Sequence, residues 1–124
     1  MTLFSEATRL ESPPVSGQEA RVSISVHNAP GGPVVSVAGE LDLSTAAHLR
    51  VVLLKATEAC PAGCGITLDL SGVTFCDCTG LQVLLRARQW ALHDHHPLAV
   101  TTSSPRVDRL LEITRTAPLF TPAG

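Results

Sequence analysis

The sequence contains few aromatic residues and few charges. Of its 124 residues, three are Phe, one is Trp and none is Tyr, so a core must consist mainly of aliphatic side chains. Charged residues make up 16% of the chain, below the ~25% that is usual for soluble domains. Lys and Arg number 9 against 11 Asp and Glu, for a formal net charge of −2. This balance lacks the basic surface of an electrostatic nucleic-acid binder, and no nucleic-acid partner is predicted.

Long apolar segments are also missing. No run approaches the ~18 apolar residues that a membrane-spanning helix requires. The first 14 residues, MTLFSEATRLESPP, lack the cationic start and apolar core of a signal peptide. We therefore expect a cytoplasmic protein with no membrane partner and with reduced cysteine thiols.

The length corresponds to one domain, since domains most often have roughly 100–150 residues. Residues 1–20 include Pro13, Pro14 and Gly17 and show no sustained periodicity, which predicts a flexible N-terminal tail. A short helix at residues 3–10 that docks on a partner is the alternative. The folded domain is predicted to span residues 21–121.

Hydrophobic periodicity predicts the order β-β-α-β-α-β-α. Apolar residues alternate over 21–27, and turn-forming residues follow at 28–33. Residues 33–39 are more continuously apolar, as in a strand from a sheet interior that is covered on both faces. Further strands are predicted at 65–71 and 98–102, and residues 118–120 could add a last one. The predicted fold class is α/β, with helices packed against a mixed central sheet.

Three helices are predicted from apolar spacings of three and four residues. Ser44 is positioned to cap the first helix, which should end near Ala59, before Pro61. The second helix covers residues 81–92, and the third begins at Ser104-Pro105, a favoured cap and first position. The predicted buried positions of the three helices are Ala46, Leu49, Leu53 and Ala56; Leu81, Leu84, Leu85 and Leu92; and Val107, Leu110, Leu111 and Ile113.

The most distinctive local feature is Asp77-Cys78-Thr79-Gly80, between the third strand and the second helix. The first backbone N–H groups of a helix are unpaired, and this end of the helix favours negative charge. A phosphorylated hydroxyl here would add about −1.5 to −2 charges to the surface. The alternative to a phosphorylation site is a purely structural role, in which Asp77 only caps the helix and Gly80 only allows close packing. Asp42, after the second strand, is expected near Asp77 at one end of the sheet.

Three segments, which follow one another as they do in the family, resemble the STAS domain, and more narrowly the bacterial anti-sigma factor antagonists. The longest is LDLSGVTFCDCTGLQVLL at residues 68–85. GELD at 39–42, followed by Thr45-Ala46, resembles the segment after the second strand of the family. SPRVDRLL at 104–111, continued to Leu119-Phe120, is similar to its last helix and strand.

The resemblance implies a regulatory protein that is not an enzyme. A STAS antagonist binds an anti-sigma factor, which is also a serine kinase of the histidine-kinase-like ATPase type, and so frees a sigma factor for transcription. The kinase phosphorylates the residue after Asp in an Asp-Ser-Ser/Thr-Gly motif, which ends binding, and a phosphatase reverses this. The predicted partner-binding residues are Asp42, Ser44, Asp77, Cys78, Thr79, Gln82 and Arg86. The alternative is a STAS scaffold or sensor, responsive to a thiol or a small ligand, within a larger complex.

This sequence departs from the family motif at the phosphoacceptor position. Cys78 follows Asp77, and the nearest hydroxyl is one residue later, on Thr79. One residue near a helix start rotates a side chain by about 100°. We therefore predict that the phosphorylation switch is lost or has moved to Thr79. The Cys78 thiol itself offers a redox sensor as a second hypothesis, because a helix N-terminus stabilises thiolates.

No other group of residues indicates a catalytic, cofactor or metal site, so none of these is expected. The sequence contains no G-x-S-x-G motif and no phosphate-binding glycine loop. Cys60-x3-Cys64 with Cys76-x-Cys78 could bind a metal, but the spacing differs from that of compact zinc modules, and cysteines are often simply buried. Residues 93–96, His-Asp-His-His, are predicted to form a solvated turn.

Overall fold

The computed structural model describes residues 22–61 and 63–120, which form four strands and four helices. The strands are β1 (Val22–Ala29), β2 (Gly32–Leu41), β3 (Ile66–Cys76) and β4 (Leu98–Ser103). The helices are α1 (Ala46–Ala59), α2 (Cys78–His93), α3 (Pro105–Ile113) and α4 (Ala117–Phe120). The predicted tail at residues 1–20, with its alternative helix, lies outside the described residues.

The strands form one mixed sheet in the order β1-β2-β3-β4. β1 and β2 are antiparallel and form a hairpin at the predicted turn, in which Ala29 pairs with Gly32. β2, β3 and β4 are parallel to one another, and the connections between them contain α1 and α2. The predicted α/β class with a mixed sheet is therefore confirmed. β2 is an interior strand as expected, but only one of its faces is fully buried and the other is half-buried.

Aliphatic side chains fill the core, as the scarcity of aromatic residues requires. α1 packs against α2 and buries its predicted stripe of Ala46, Leu49, Leu53 and Ala56. Burying a Val, Leu or Ile side chain stabilises the fold by roughly 1.5–3 kcal/mol. The largest fully buried side chains are Phe120, Leu41, Leu49, Leu53, Ile66, Leu68, Leu70, Leu84, Val35, Val73 and Val107.

Two predicted core positions are wrong. Leu92 is 44% exposed, because the buried stripe of α2 continues through Ala91, and the next residue lies about 100° away around the helix. Ile113 is 67% exposed for the same kind of reason: the buried residues of α3 are Val107 and Leu111, and Ile113 lies about 200° from Leu111.

Several predicted boundaries also differ, and α2 begins at Cys78 instead of residue 81. β3 continues through residues 72–76, which were predicted as a loop, and pairs there with the end of β2. Residues 118–120 belong to the short helix α4 and not to a strand. The Leu119 N–H donates to the Thr116 carbonyl at 2.9 Å, so the chain turns, and Phe120 becomes buried.

Candidate functional site

The ends of β2 and β3 lie side by side and bring the two strand–helix junctions together. Leu41, the last residue of β2, pairs with Cys76, the last residue of β3. The Asp77 N–H then donates to the Leu41 carbonyl at 3.1 Å. Because the strands are parallel, Asp42 and Asp77 follow neighbouring strand ends at one edge of the sheet, as predicted.

Asp77 caps α2. Its Oδ1 accepts hydrogen bonds from the backbone N–H groups of Thr79, at 2.9 Å, and of Gly80, at 3.0 Å. These are two of the N–H groups that the first turn of a helix leaves unpaired. Such a cap typically stabilises a protein by about 1 kcal/mol. The carboxylate therefore has a structural role at the motif.

Gly80 allows α2 to begin directly against the end of β2. It is buried, and a Cβ there would lie 2.8 Å from the Leu41 carbonyl oxygen and 2.9 Å from the Leu41 Cβ. The same Cβ would lie 3.1 Å from Sγ of Cys76. No larger residue fits without a shift of the helix or the strand. Asp77 and Gly80 thus both have the structural roles that the motif predicts.

The turn after β2 is organised by Asp42. Its Oδ1 accepts from the N–H of Ser44 at 3.0 Å and from the Ser44 hydroxyl at 2.8 Å. The next hydroxyl, on Thr45, donates to the Glu40 carbonyl at 2.7 Å and accepts from the Asp42 N–H at 3.0 Å. The predicted Ser44 cap of α1 is therefore wrong. Thr45 occupies the cap position, and its side chain bonds back to the strand end instead of to the helix.

The two free cysteines of the site differ in their surroundings. Cys78 is the first residue of α2 and is exposed, whereas Cys76 is half-buried. Burial raises the pKa of the Cys76 thiol to about 11, and Asp77 and Cys78 nearby contribute to the increase. Cys76 is therefore a protonated packing residue. Thr79, the nearest hydroxyl to the phosphoacceptor position, is half-buried.

An exposed stripe runs along α2 from this junction. Cys78, Gln82 and Arg86 are all exposed and are spaced four residues apart, so they lie on one face of the helix. We call these three residues the α2 stripe. The structure thus places Cys78 and Thr79 beside Asp77 where β2 and β3 end, whereas Gln82 and Arg86 lie further along α2, about 6 Å and 12 Å from Cys78.

Two exposed apolar residues beside the junction were missed by the sequence analysis. Leu43 is 78% exposed and follows Asp42; Phe75 is 39% exposed, and its strand position pairs with Glu40. Both stand in segments that were interpreted as loops, where a single apolar residue carries no periodic signal. Near them, an open groove is lined by Cys76, Pro105, Arg106, Arg109, Leu110 and Ile113.

The other cysteines lie at the opposite end of β3. Cys60 and Cys64 precede β3 and form a disulfide, whereas Cys76 is the last of its 11 residues. The four-cysteine metal site, which the sequence left only as an alternative, is therefore excluded, because the length of β3 separates the two pairs. The prediction of reduced thiols is also wrong for Cys60 and Cys64, whose Cα atoms are 6.0 Å apart, within the range that disulfides span.

The turn after α2 is only partly solvated. His93 and His95 are exposed, as predicted. His96 is 6% exposed, and its Nδ1 lies 3.0 Å from the Cys64 carbonyl oxygen. The prediction of a solvated turn is therefore wrong for His96, which contacts the segment that precedes β3.

Comparison with known proteins identifies the domain. A family model described as "Mlab, STAS domain" matches residues 24–120. No curated protein matches the sequence. Among the described residues, no helix is long and apolar enough to cross a membrane.

Solved structures share the fold. An anti-sigma factor antagonist from Mycobacterium paratuberculosis is 24% identical with a TM-score of 0.72, over 88% of this chain and 92% of that chain. The Bacillus cell fate determinant SpoIIAA in its phosphorylated form is 15% identical with a TM-score of 0.61, over 82% and 92%. The murine anion transporter Slc26a9 is 15% identical with a TM-score of 0.59, over 78% of this chain but 17% of that chain. At these identities the likeness shows a common fold.

Proposed function

The chain belongs to the STAS domain family, and on that basis we propose that it is an anti-sigma factor antagonist. The family match confirms the resemblance seen in the sequence. In this proposal the protein is a cytoplasmic binding module and not an enzyme. Its partner is an anti-sigma factor that is also a serine kinase of the histidine-kinase-like ATPase type. Binding this partner releases a sigma factor and so regulates transcription.

The exposed surface where β2 and β3 end supports this proposal most directly. The polar residues of the predicted interface, Asp42, Ser44, Asp77 and Thr79, lie next to the α2 stripe of Cys78, Gln82 and Arg86. Leu43 and Phe75 add exposed apolar surface beside them. Protein interfaces commonly combine an apolar centre, which is buried on binding, with a polar rim. This surface contains exposed apolar residues and polar residues that could form the two parts.

Regulation by phosphate is altered in this proposal. The exposed first position of α2 carries the Cys78 thiol, which is not the acceptor of a serine kinase. Thr79 is half-buried and about 100° further around the helix. We propose that the switch has been lost or has moved to Thr79, and that a phosphatase acts only in the second case. A phosphate at Thr79 would place about two negative charges within the interface and so weaken binding.

Affinity capture from the native cells tests the partner assignment. We expect the wild-type protein to recover a histidine-kinase-like ATPase, and Arg86→Glu to bind it at least about tenfold more weakly, since charge reversal in an interface costs more than one kcal/mol. Lys55→Glu is the matched control, because Lys55 is exposed near the end of α1, away from this surface. Equal binding by all three proteins would contradict the proposed interface.

Incubation with the captured kinase and ATP tests the switch. No label on the protein indicates that phosphorylation has been lost, and label that disappears in Thr79→Ala indicates that it has moved. Label that persists in Thr79→Ala contradicts both forms of the proposal.

The alternative function is a STAS subunit or sensor within a larger complex. The exposed Cys78 thiol favours it, and so does the occurrence of this fold in a transporter. Capture of a transporter or of a sensor assembly would support this alternative. So would binding that is abolished by mild oxidation in the wild type but not in Cys78→Ser.

A further inference from the structure

Cys60, Cys64 and His96 lie together at the end of the sheet opposite the candidate interface. Cys60 follows α1, Cys64 precedes β3, and His96 lies in the turn before β4. In the sequence these residues are not adjacent: Cys60 and Cys64 are 32 residues or more from His96. We propose that the three form a zinc site when the Cys60–Cys64 disulfide is reduced.

The distances suit a metal site. The two Sγ atoms and a ring nitrogen of His96 all lie within 4.8 Å of one another. Zinc–sulfur and zinc–nitrogen bonds of about 2.0–2.3 Å place tetrahedral ligands roughly 3.3–3.8 Å apart. Small side-chain rotations, with the Cα atoms of the cysteines 6.0 Å apart, meet this requirement. The C-x3-C spacing also lies within the range of C-x2-C to C-x4-C used by zinc sites.

His96 is held in a form that can bind a metal. Its Nδ1 is 3.0 Å from the Cys64 carbonyl oxygen, and because a carbonyl can only accept, Nδ1 carries the hydrogen. In the neutral form of such a ring, the lone pair is on Nε2. Metal-binding histidines commonly donate their other N–H to a carbonyl in this way, which fixes the tautomer and the ring. At 6% exposure the ring is also shielded from water.

Backbone hydrogen bonds hold the ligand-bearing turns in place. The Cys64 N–H donates to Pro61 at 3.0 Å, and the His96 N–H donates to Ala91 at 2.7 Å. The Ile66 N–H donates to Pro97 at 2.8 Å, which joins the two turns. Cys60 and His96 are buried, and Cys64 is half-buried. A zinc ion with three protein ligands commonly takes a water molecule or an external ligand as its fourth.

The disulfide and the zinc site exclude each other, because both use the same two sulfur atoms. A dithiol reductant breaks the Cys60–Cys64 bond by exchange, supplies two electrons and two protons, and becomes a cyclic disulfide itself. The two protein thiols lose their protons when Zn²⁺ binds. Thiolate and imidazole ligands favour zinc over harder ions such as Mg²⁺ or Ca²⁺.

Metal titration of the reduced protein tests this proposal. The full chain is reduced with a dithiol, desalted without oxygen, and titrated with Co²⁺ and then with Zn²⁺. We expect one ion per chain, with the charge-transfer and visible bands of tetrahedral thiolate-bound Co²⁺, which Zn²⁺ displaces. The oxidised protein should show no such bands. Absence of binding by the reduced protein would overturn the proposal.

Matched variants assign the ligands. Cys64→Ser and His96→Gln should each weaken zinc binding at least about tenfold, since outer-shell changes alone cost tenfold or more. His93→Gln is the matched control, because His93 is exposed at the end of α2, and the double variant Cys76→Ser/Cys78→Ser controls for the other thiols. Binding lost in either control, or unchanged in Cys64→Ser, contradicts the assignment.

A measurement on the wild type covers the case in which His96→Gln does not fold. Zinc should protect Cys60 and Cys64 of the reduced protein from alkylation while Cys78 still reacts, as mapped by mass spectrometry. Equal labelling of Cys64 with and without zinc contradicts the site. These outcomes do not depend on the proposed function, because partner binding is assigned to the other end of β3.

Discussion

At the residue scale, the motif at residues 77–80 contains two kinds of position. Asp77 pairs two N–H groups of α2, and Gly80 gives the helix room against Leu41, so the fold requires both. Cys78 lies between them, is exposed, and fills no gap in the core. The packing of the domain therefore does not restrict which side chain stands at this position. Packing thus constrains Asp77 and Gly80 but not the residue between the cap and Thr79.

The two free thiols should react with alkylating agents at very different rates. Because its pKa is about 11, only about one Cys76 side chain in a thousand is a thiolate at pH 8, and its half-buried position further restricts access. Cys78 is exposed, so we expect iodoacetamide to label it first. Cys76 labelling should rise about tenfold for each pH unit until the pH approaches its pKa.

Mass spectrometry of the labelled protein at several pH values measures both rates. The same protein in denaturant is the control, since unfolding removes the burial that separates the two thiols. Equal rates for the folded protein at pH 8 would contradict the structural difference between Cys76 and Cys78.

At the element scale, regular patterns were predictable and breaks in the patterns were not. Strict alternation identified β1, and the Ser104-Pro105 pair identified the start of α3, where the Ser104 hydroxyl accepts from Val107 at 3.3 Å. The end of β3 was missed because its apolar residues Val73 and Phe75 are out of phase with the alternation that ends at Leu70, and its pairing with β2 contains register shifts. α4 was taken for a strand because a three-residue apolar run has no measurable period.

Two contacts between distant residues and one local turn explain the other failures. Arg88 Nε donates to the Leu119 carbonyl at 2.9 Å, so α4 depends on a side chain 31 residues away. The Ser44 hydroxyl is bonded to Asp42, and this local turn competes with helix capping. His96 lies beside Cys64 only because β3 and β4 are neighbours in the sheet. The two distant contacts cannot be read from residue spacing.

The junction of β2 with α2 should not tolerate a side chain at position 80. We expect Gly80→Ala to lower the free energy of unfolding by about 1–3 kcal/mol, the usual cost of overpacking. The reason is that its Cβ would lie 2.8 Å from the Leu41 carbonyl oxygen. Urea unfolding followed by circular dichroism measures the change.

Gly31→Ala is the matched control, because a Cβ at Gly31 in the β1–β2 turn meets nothing within 4 Å. We expect the control to differ from the wild type by less than about 0.5 kcal/mol, as is usual for surface substitutions. A Gly80→Ala protein as stable as the control would show that α2 does not pack against β2 as described.

At the scale of the whole molecule, the sheet separates two kinds of chemistry. The end where β2 and β3 finish presents Asp42, Asp77 and the α2 stripe, and the other end holds the Cys60–Cys64 disulfide beside His96. The length of β3, 11 residues, keeps the Cys60–Cys64 pair at one end of the sheet and Cys76 and Cys78 at the other. The sequence shows four cysteines without showing this separation. A change at one end should therefore leave the other end unaffected.

Reduction of the disulfide should lower the stability of the whole domain and leave its fold intact. Closing a loop of about five residues stabilises a protein by about 2 kcal/mol in the chain-entropy model. For a domain of this size, that corresponds to a Tm lower by roughly 8 °C or more after reduction. Thermal unfolding with and without a dithiol, in the presence of a metal chelator, measures the shift.

Two double variants are the controls. Cys60→Ser/Cys64→Ser should have the same Tm in both conditions, whereas Cys76→Ser/Cys78→Ser should show the wild-type shift. A wild-type Tm that is unchanged while thiol titration counts four free thiols would mean that the Cys60–Cys64 bond does not stabilise the domain.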